Sequence, residues 1–264
     1  MLDDGSTDDT VTILKECQSK YDWIKTLHFQ EHSRNLGPHL AEIMSKGFNS
    51  ATTYCNQRKL QYSYVGNLDG DLTIPPTFFE NIIKEFEKNS KLGVASGGTE
   101  HIIGNRIVRV KLAANEPSGG HMLIRKACFE DIGGFPISYS SDSVLKAKAR
   151  LRNWETKRFE NNVATEVRDV GSAEGFWKGS VQSGKSNYYL NFNPLFVIMK
   201  SANFFKKPPH YIGFGYLFGY FRDFIRRKSQ IEDEEIKTYF WNKWSYEDLR
   251  KLLIKKYLFR NKCK

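Results

Sequence analysis

An α/β fold built on a mostly parallel sheet is what this sequence predicts. Two observations carry the expectation. Short β-rich segments alternate with segments whose apolar residues recur at helical spacing, and acidic residues stand where two of the β segments stop. Alternation of that kind packs helices against a sheet. Carboxylates at strand ends lie where open α/β sheets place their ligands. At 264 residues, 40% hydrophobic and 27% charged, the chain can bury a sizeable core and does not have a disordered composition.

The elements follow in order. Met1 to Asp4 reads as the end of a strand and Gly5-Ser6-Thr7 as a turn. Ser6 or Thr7 is placed to cap a helix from Asp8, with acids in its first turn and Val11, Leu14, Cys17 and Tyr21 at helical spacing. His28-Phe29 reads as a short strand, Arg34 to Pro38 as a loop, and His39 to Tyr54 as a helix. Gln61 to Leu68 alternates like a strand and stops at Asp69-Gly70-Asp71. Pro75-Pro76 opens a helix that buries Phe79, Ile82, Ile83 and Phe86, as Pro favours a first turn. Gly93 to Ser96 reads as a buried strand, Gly119 to Ile124 as a turn into a strand, and Lys126 to Ile132 as a helix stopped by Gly133-Gly134. Ser138 to Ser143 is a polar loop before a helix with Val144, Ala147 and Leu151 on one side, and Lys157 to Val167 holds one or two strands. The composition then turns glycine-rich, aromatic and basic, which places a boundary between residues 1–170 and 171–264.

Three acidic groups carry candidate chemistry. Asp69-Gly70-Asp71 sets two hard carboxylates one residue apart at a strand end, a donor set for Mg2+ or Mn2+ completed by substrate phosphates. Asp3 and Asp4 end another strand, where an acid can accept hydrogen bonds from a ribose or base. Asp142 sits before a helix, and in isolation its plain reading is an N-cap. His121 and Glu100 could line an acceptor side, although a histidine after two glycines reads more simply as a satisfied, partly buried residue.

The net charge of +10 calls for a polyanionic partner: nucleic acid, an anionic membrane or a phosphate-bearing ligand. No helix-turn-helix, RNP or zinc spacing supports nucleic acid, and the carboxylates of residues 69 and 71 would repel its backbone. The four cysteines are scattered, without metal-ligand spacing, as expected in a reducing compartment. The opening residues have no secretory-signal pattern. The longest charge-free apolar stretches, Ser186 to Met199 and Pro208 to Phe221, fall short of the roughly 20 residues of a spanning helix.

Taken together, Leu2-Asp3-Asp4-Gly5-Ser6-Thr7-Asp8, Arg34-Asn35-x-Gly37, Leu68-Asp69-Gly70-Asp71 before Pro75-Pro76, and Arg125-Lys126-x-Cys128-Phe129-x-x-Ile132-Gly133-Gly134-Phe135 before Asp142 resemble the family-two, nucleotide-sugar-dependent glycosyltransferases of the GT-A fold. The resemblance covers most of residues 1 to 159. Asn193-Pro194-Leu195-Phe196 and the aromatic, basic tail look like the C-terminal extension of bacterial polysaccharide-type members. The resemblance implies that Asp3 and Asp4 contact the uracil or ribose of a UDP-sugar donor, with Arg34 at a phosphate. It implies that Asp69 and Asp71 hold the sugar diphosphate through a divalent cation, Mn2+ or Mg2+, and that Asp142 is the catalytic base. A single inverting transfer to a saccharide or lipid-linked acceptor is then the expected reaction.

Two departures from the family pattern shape the expectation. The family's opening strand and its Pro-x-Tyr-Asn-Glu-like loop have no counterpart here, so the chain reads as N-terminally truncated, with a sheet lacking its first strand and bare backbone on that strand's neighbours. Ser140-Ser141 also replaces the usual aromatic or acidic neighbours of the base. The same residues leave open an inactive family member that acts only by binding.

The C-terminal third reads as a helical extension. Tyr188 to Phe205 and Tyr211 to Ile225 are aromatic and apolar, flanked by Lys206-Lys207 and Arg226-Arg227-Lys228. Such segments suit a membrane interface, which implies a cytoplasmic protein peripheral to the inner face of the cell membrane. Ile231 to Glu235 reads as a solvated turn, and a last helix is expected at Tyr246 to Tyr257. The sequence leaves the oligomeric state open.

Overall fold

The computed structural model describes residues 1–29, 38–103, 106–166, 175–206 and 208–243. Arg34, the Lys207 of the basic flank and the expected last helix at Tyr246 to Tyr257 lie outside the described residues. The chain divides into two compact units, Met1–Val170 and Gly171–Lys264.

The first unit opens with β1 (Leu2–Asp3), α1 (Thr10–Lys20), β2 (Leu27–His28) and α2 (Pro38–Gln57), with β1 and β2 paired in parallel. The helix expected from Asp8 starts two residues later, because the Asp3 carboxylate takes the Ser6 N–H and prolongs the turn. Neither Ser6 nor Thr7 caps it. The N-cap is Asp9, which makes no side-chain capping bond, while Asp8 Oδ1 accepts from the Thr10 N–H at 3.1 Å. Only Leu14 of the expected apolar face is buried.

A six-stranded sheet follows. Its strands are β3 (Tyr64–Gly66), β4 (Leu72–Thr73), β5 (Leu92–Ile103), β6 (Arg106–Val110), β7 (Met122–Arg125) and β8 (Glu155–Glu166), in the order β3-β7-β5-β8-β4 with β6 on β5. The sheet is mixed rather than mostly parallel. Within it β5–β8 is parallel, while β3–β7, β5–β7, β4–β8 and β5–β6 are antiparallel. The physical reason lies in the connections. Only two residues separate β5 from β6, so they can pair only by reversal. β7 enters between β3 and β5, running against both. Among the described residues β1 and β3 each pair along one side only. α2 spans both sheets: a Cβ on Gly47 would stand 2.6 Å from Leu2, while Met44 and Phe48 pack in the core that holds Val65 of β3.

β5 was expected to stop at Ser96. It runs on to Ile103. Gly97 and Gly98 sit inside the strand because β8 comes too close for a side chain: a Cβ on Gly97 would lie 2.0 Å from the Asn162 carbonyl oxygen, beside a register shift.

Two apolar layers flank the sheet. α3 (Phe78–Lys88) buries Phe78, Ile82 and Phe86 against Leu92 and Ala95. On the other side Phe48 of α2 and Phe129 of α4 (Lys126–Asp131) pack with Leu145 and Ala149 of α5 (Ser141–Leu151) over Val94 and Ile124. The second unit consists of α6 (Phe176–Tyr189), α7 (Pro194–Phe204), α8 (Ile212–Ile225) and α9 (Glu234–Trp241). The expected single segment from Tyr188 to Phe205 is broken at Asn193, whose side chain caps α7 ahead of Pro194. The expected turn at Ile231 to Glu235 contains the start of α9, capped by Asp233.

Candidate active site

The acidic crevice is built on a pair of glycines. Gly119 and Gly120 form a tight turn ahead of β7, and the residues after β3 lie alongside it. The Asp69 N–H donates to the Gly120 carbonyl at 2.8 Å, and the Asn67 amide donates to the Gly119 carbonyl at 2.7 Å. The side of Gly120 faces Asp69: a Cβ there would stand 2.8 Å from Asp69 Oδ2. The side of Gly119 faces Asp142, whose Oδ2 would be 3.2 Å away. Two carboxylates from distant parts of the chain therefore rest against one side-chain-free turn.

Charge gathers there. Burial first, then the neighbouring Asp71 carboxylate, pushes Asp69 up to about 6, and Glu166 and Asp142 act in the same direction. Glu166 arrives through the β4–β8 pairing, opposite Leu72, and lies 3.1 Å from His101 Nδ1. Desolvation and like charge both disfavour the ionised form. Such mutual repulsion is what a cation would relieve.

Asp142 is not the N-cap. Ser140, in the left-handed region at φ 51°, takes that position, and Asp142 lies in the first turn of α5, where a negative charge suits the helix dipole. One turn on, Lys146 points back to it. This lysine is 5% exposed, and its Nζ donates to Asp142 Oδ2 at 3.1 Å and to the Pro117 carbonyl at 3.0 Å. Glu116 lies 3.6 Å from the same ammonium and 3.1 Å from Arg150. The helix thus fixes the orientation of the Asp142 carboxylate.

Asp3 and Asp4 have partners of their own at the end of β1. Asp3 is buried, and its carboxylate accepts from the Ser6 N–H at 3.2 Å and meets His28 Nδ1 at 3.3 Å. Ser6, ahead of His28, holds it below the ordinary carboxylate range despite opposing burial. Asp4 is the more exposed acid and lies 3.1 Å from His39 Nε2. The structure thus brings Asp69, Asp71 and Asp142 within electrostatic reach of one another, and gives Asp3 and Asp4 separate hydrogen bonds. His121 is fully buried, with Nε2 3.2 Å from the Gly97 carbonyl and its ring edge-on to Phe78. Burial lowers its pKa, so it is a core residue. Glu100 is bonded to Thr165. Sequence reading missed Lys146 and Glu166. The four-residue helical spacing from Asp142 was a signal for the first, but no local pattern marks the second.

A model of glycosyl transferase family 2 matches residues 1–140. The chain belongs to this family. With it comes the GT-A assignment drawn from the motifs. A poly-beta-1,6-N-acetyl-D-glucosamine synthase from Staphylococcus epidermidis is 25% identical over 221 residues, covering 76% of this chain and 50% of the relative. The chain spans about half the length of that curated relative. Among solved structures, the mannosyltransferase PcManGT from Pyrobaculum calidifontis, in complex with GDP-Man and Mn2+, is similar at a TM-score of 0.49 and 15% identity, over 83% of this chain and 59% of that one. GalNAc-T7 with UDP, GalNAc and Mn2+ is similar at 0.47 and 12%, over 76% and 43%.

The glycine turn makes a sharp prediction. Gly120→Ala should push the Asp69 carboxylate away from the turn and out of its buried position. Carbon-13 NMR of the aspartate carboxyls should then show Asp69 titrating below about 6, closer to an ordinary aspartate. An unchanged titration would mean that the contact does not hold the group.

Proposed function

We propose that this family-two glycosyltransferase moves a sugar from a nucleotide-sugar donor, a UDP-sugar in the first instance, to a saccharide or lipid-linked acceptor of a cell-surface polysaccharide, at the inner face of the cell membrane. The observation that carries the proposal is the meeting of Asp69 and Asp142 across Gly119-Gly120, with Asp71 adding its charge.

The residues fit a divalent cation, Mn2+ or Mg2+. Asp69 and Asp71 offer hard oxygens and repel one another. Among the described residues no three His, Cys, Asp or Glu side chains group as a metal site, so donor phosphates would complete the shell, as they commonly do for Mg2+. A cation bound there would supply Lewis-acid neutralisation of the departing nucleoside diphosphate. Asp142 takes the proton from the acceptor hydroxyl as that oxygen attacks the anomeric carbon. Lys146 keeps the carboxylate turned toward the glycine turn. Asp4, with His39 beside it, offers an acceptor for the nucleoside hydroxyls.

Metal affinity follows the Asp69 proton. A raised carboxylate pKa means that the ion is the disfavoured form, so ionising Asp69 costs the free protein stability as pH climbs through about 6. Cation binding needs that ion. Calorimetry of UDP with Mn2+ should therefore show affinity rising between roughly pH 5 and 7 and levelling above, and Asp71→Ala should abolish the metal-dependent part. Equal affinity at both ends of that range, or metal-dependent binding that survives Asp71→Ala, would refute the assignment.

One base and one leaving group imply a single displacement. Proton NMR of the first product should show the anomeric configuration inverted relative to the donor, with Asp142→Asn nearly inactive. A retained configuration excludes the mechanism.

A further inference from the structure

We infer that the outer face of α8 docks the protein on an anionic lipid bilayer. The inference rests on the proposal of a membrane-associated enzyme and gives that association a surface.

α8 is apolar on both sides. Its inner side is committed to α6 at backbone distance. A Cβ on Gly219 would stand 2.0 Å from the Val181 carbonyl oxygen, one on Gly215 would stand 2.2 Å from Ser180 Oγ, and one on Gly184 of α6 would stand 2.1 Å from the Tyr216 carbonyl oxygen. Small residues on both helices allow this contact, and Tyr216 and Tyr220 are buried around it. The outer side carries Phe214, Phe218 and Ile225, which are 63%, 53% and 78% exposed. With half-buried Phe221, their spacing of four, three and four residues draws one stripe along the helix. Trp177 lengthens the stripe, with its ring 6.4 Å from Phe218 and 6.3 Å from the partly exposed Tyr211.

A contiguous exposed apolar patch of this kind marks a partner surface. The charges beside it select the partner. The stripe ends at Arg226, Arg227 and Lys228, all exposed. No acid stands between Asp223 and Glu232, and Asp223 is buried and held by Arg222 at 2.9 Å. Bulky apolar side chains beside a cationic end are what an interfacial helix offers to a bilayer with acidic headgroups. No helix among the described residues is long and apolar enough to cross a membrane, so α8 would lie along the surface rather than through it.

Sedimentation with phosphatidylcholine vesicles, with and without phosphatidylglycerol, tests the inference on the whole chain and needs no enzymatic activity. The protein should pellet with the anionic vesicles. Phe214→Ser with Phe218→Ser should weaken partitioning by roughly tenfold or more. Replacing Arg226, Arg227 and Lys228 by Gln should weaken it comparably on anionic vesicles only. All these side chains are exposed, so melting temperatures should stay near that of the parent. Failure of the parent to bind, or binding that survives the Phe214→Ser, Phe218→Ser change, overturns the inference. So does self-association in analytical ultracentrifugation that the same double change abolishes, with no vesicle binding by the parent, because the face would then join two copies. A negative vesicle result leaves nucleotide binding intact, so it is distinguishable from failure of the transferase reading.

Discussion

The site depends on a turn that carries no side chains. Gly119 and Gly120 let the chain segment after β3 and the start of α5 approach from two sides, closely enough that any Cβ would press on Asp69 or Asp142. Two hydrogen bonds to the glycine carbonyls, one from the Asp69 N–H and one from the Asn67 side-chain amide, tie that segment to the same turn. Carboxylates brought this near in a partly dehydrated crevice repel, and burial first, then the like charge of Asp71, raises Asp69. The protein keeps the acids together through backbone geometry, and the proposed cation would relieve their repulsion.

Around this turn the charges are sorted. Asp142 has a buried ammonium one helical turn away, which also approaches Glu116. Glu166 has His101. For Asp69 the strongest charge interaction, after the effect of burial, is with the like charge of Asp71. One acid is thus held and oriented while another is left strained, as a base and a metal ligand would require of the same crevice. Asp3, tied into its turn, differs from Asp4, which remains accessible beside His39. That contrast favours Asp4 as the residue that meets a nucleoside.

Much of this was legible in the sequence. The acid pairs stood out because Asp-Gly turns leave local marks, although β3 stops at Gly66, short of the expected end beside Asp69, and α3 was visible through its strong apolar periodicity. The long reach of β5 was not, because Gly97-Gly98 reads as a break unless one knows that β8 passes against it. The mixed character of the sheet was hidden for a related reason: strand direction is decided by where a connection returns, and a run of β-rich residues does not record it. Lys146 illustrates a different limit. A lysine on a helix normally reads as solvated, and only the fold shows it buried among three oxygens. In the second unit the sequence showed aromatic and basic residues together but not their division, with glycines and tyrosines against α6 and phenylalanines turned outward on α8.

The central claim is that separated acids converge on one cation-binding crevice. Paramagnetic broadening by Mn2+ in the presence of UDP, read on assigned backbone amides, tests it most directly. The account predicts selective loss of signal at Asp69, Asp71, Gly119, Gly120 and Asp142. Broadening that spared Asp142 and the glycine turn, or that centred on another part of the chain, would contradict it.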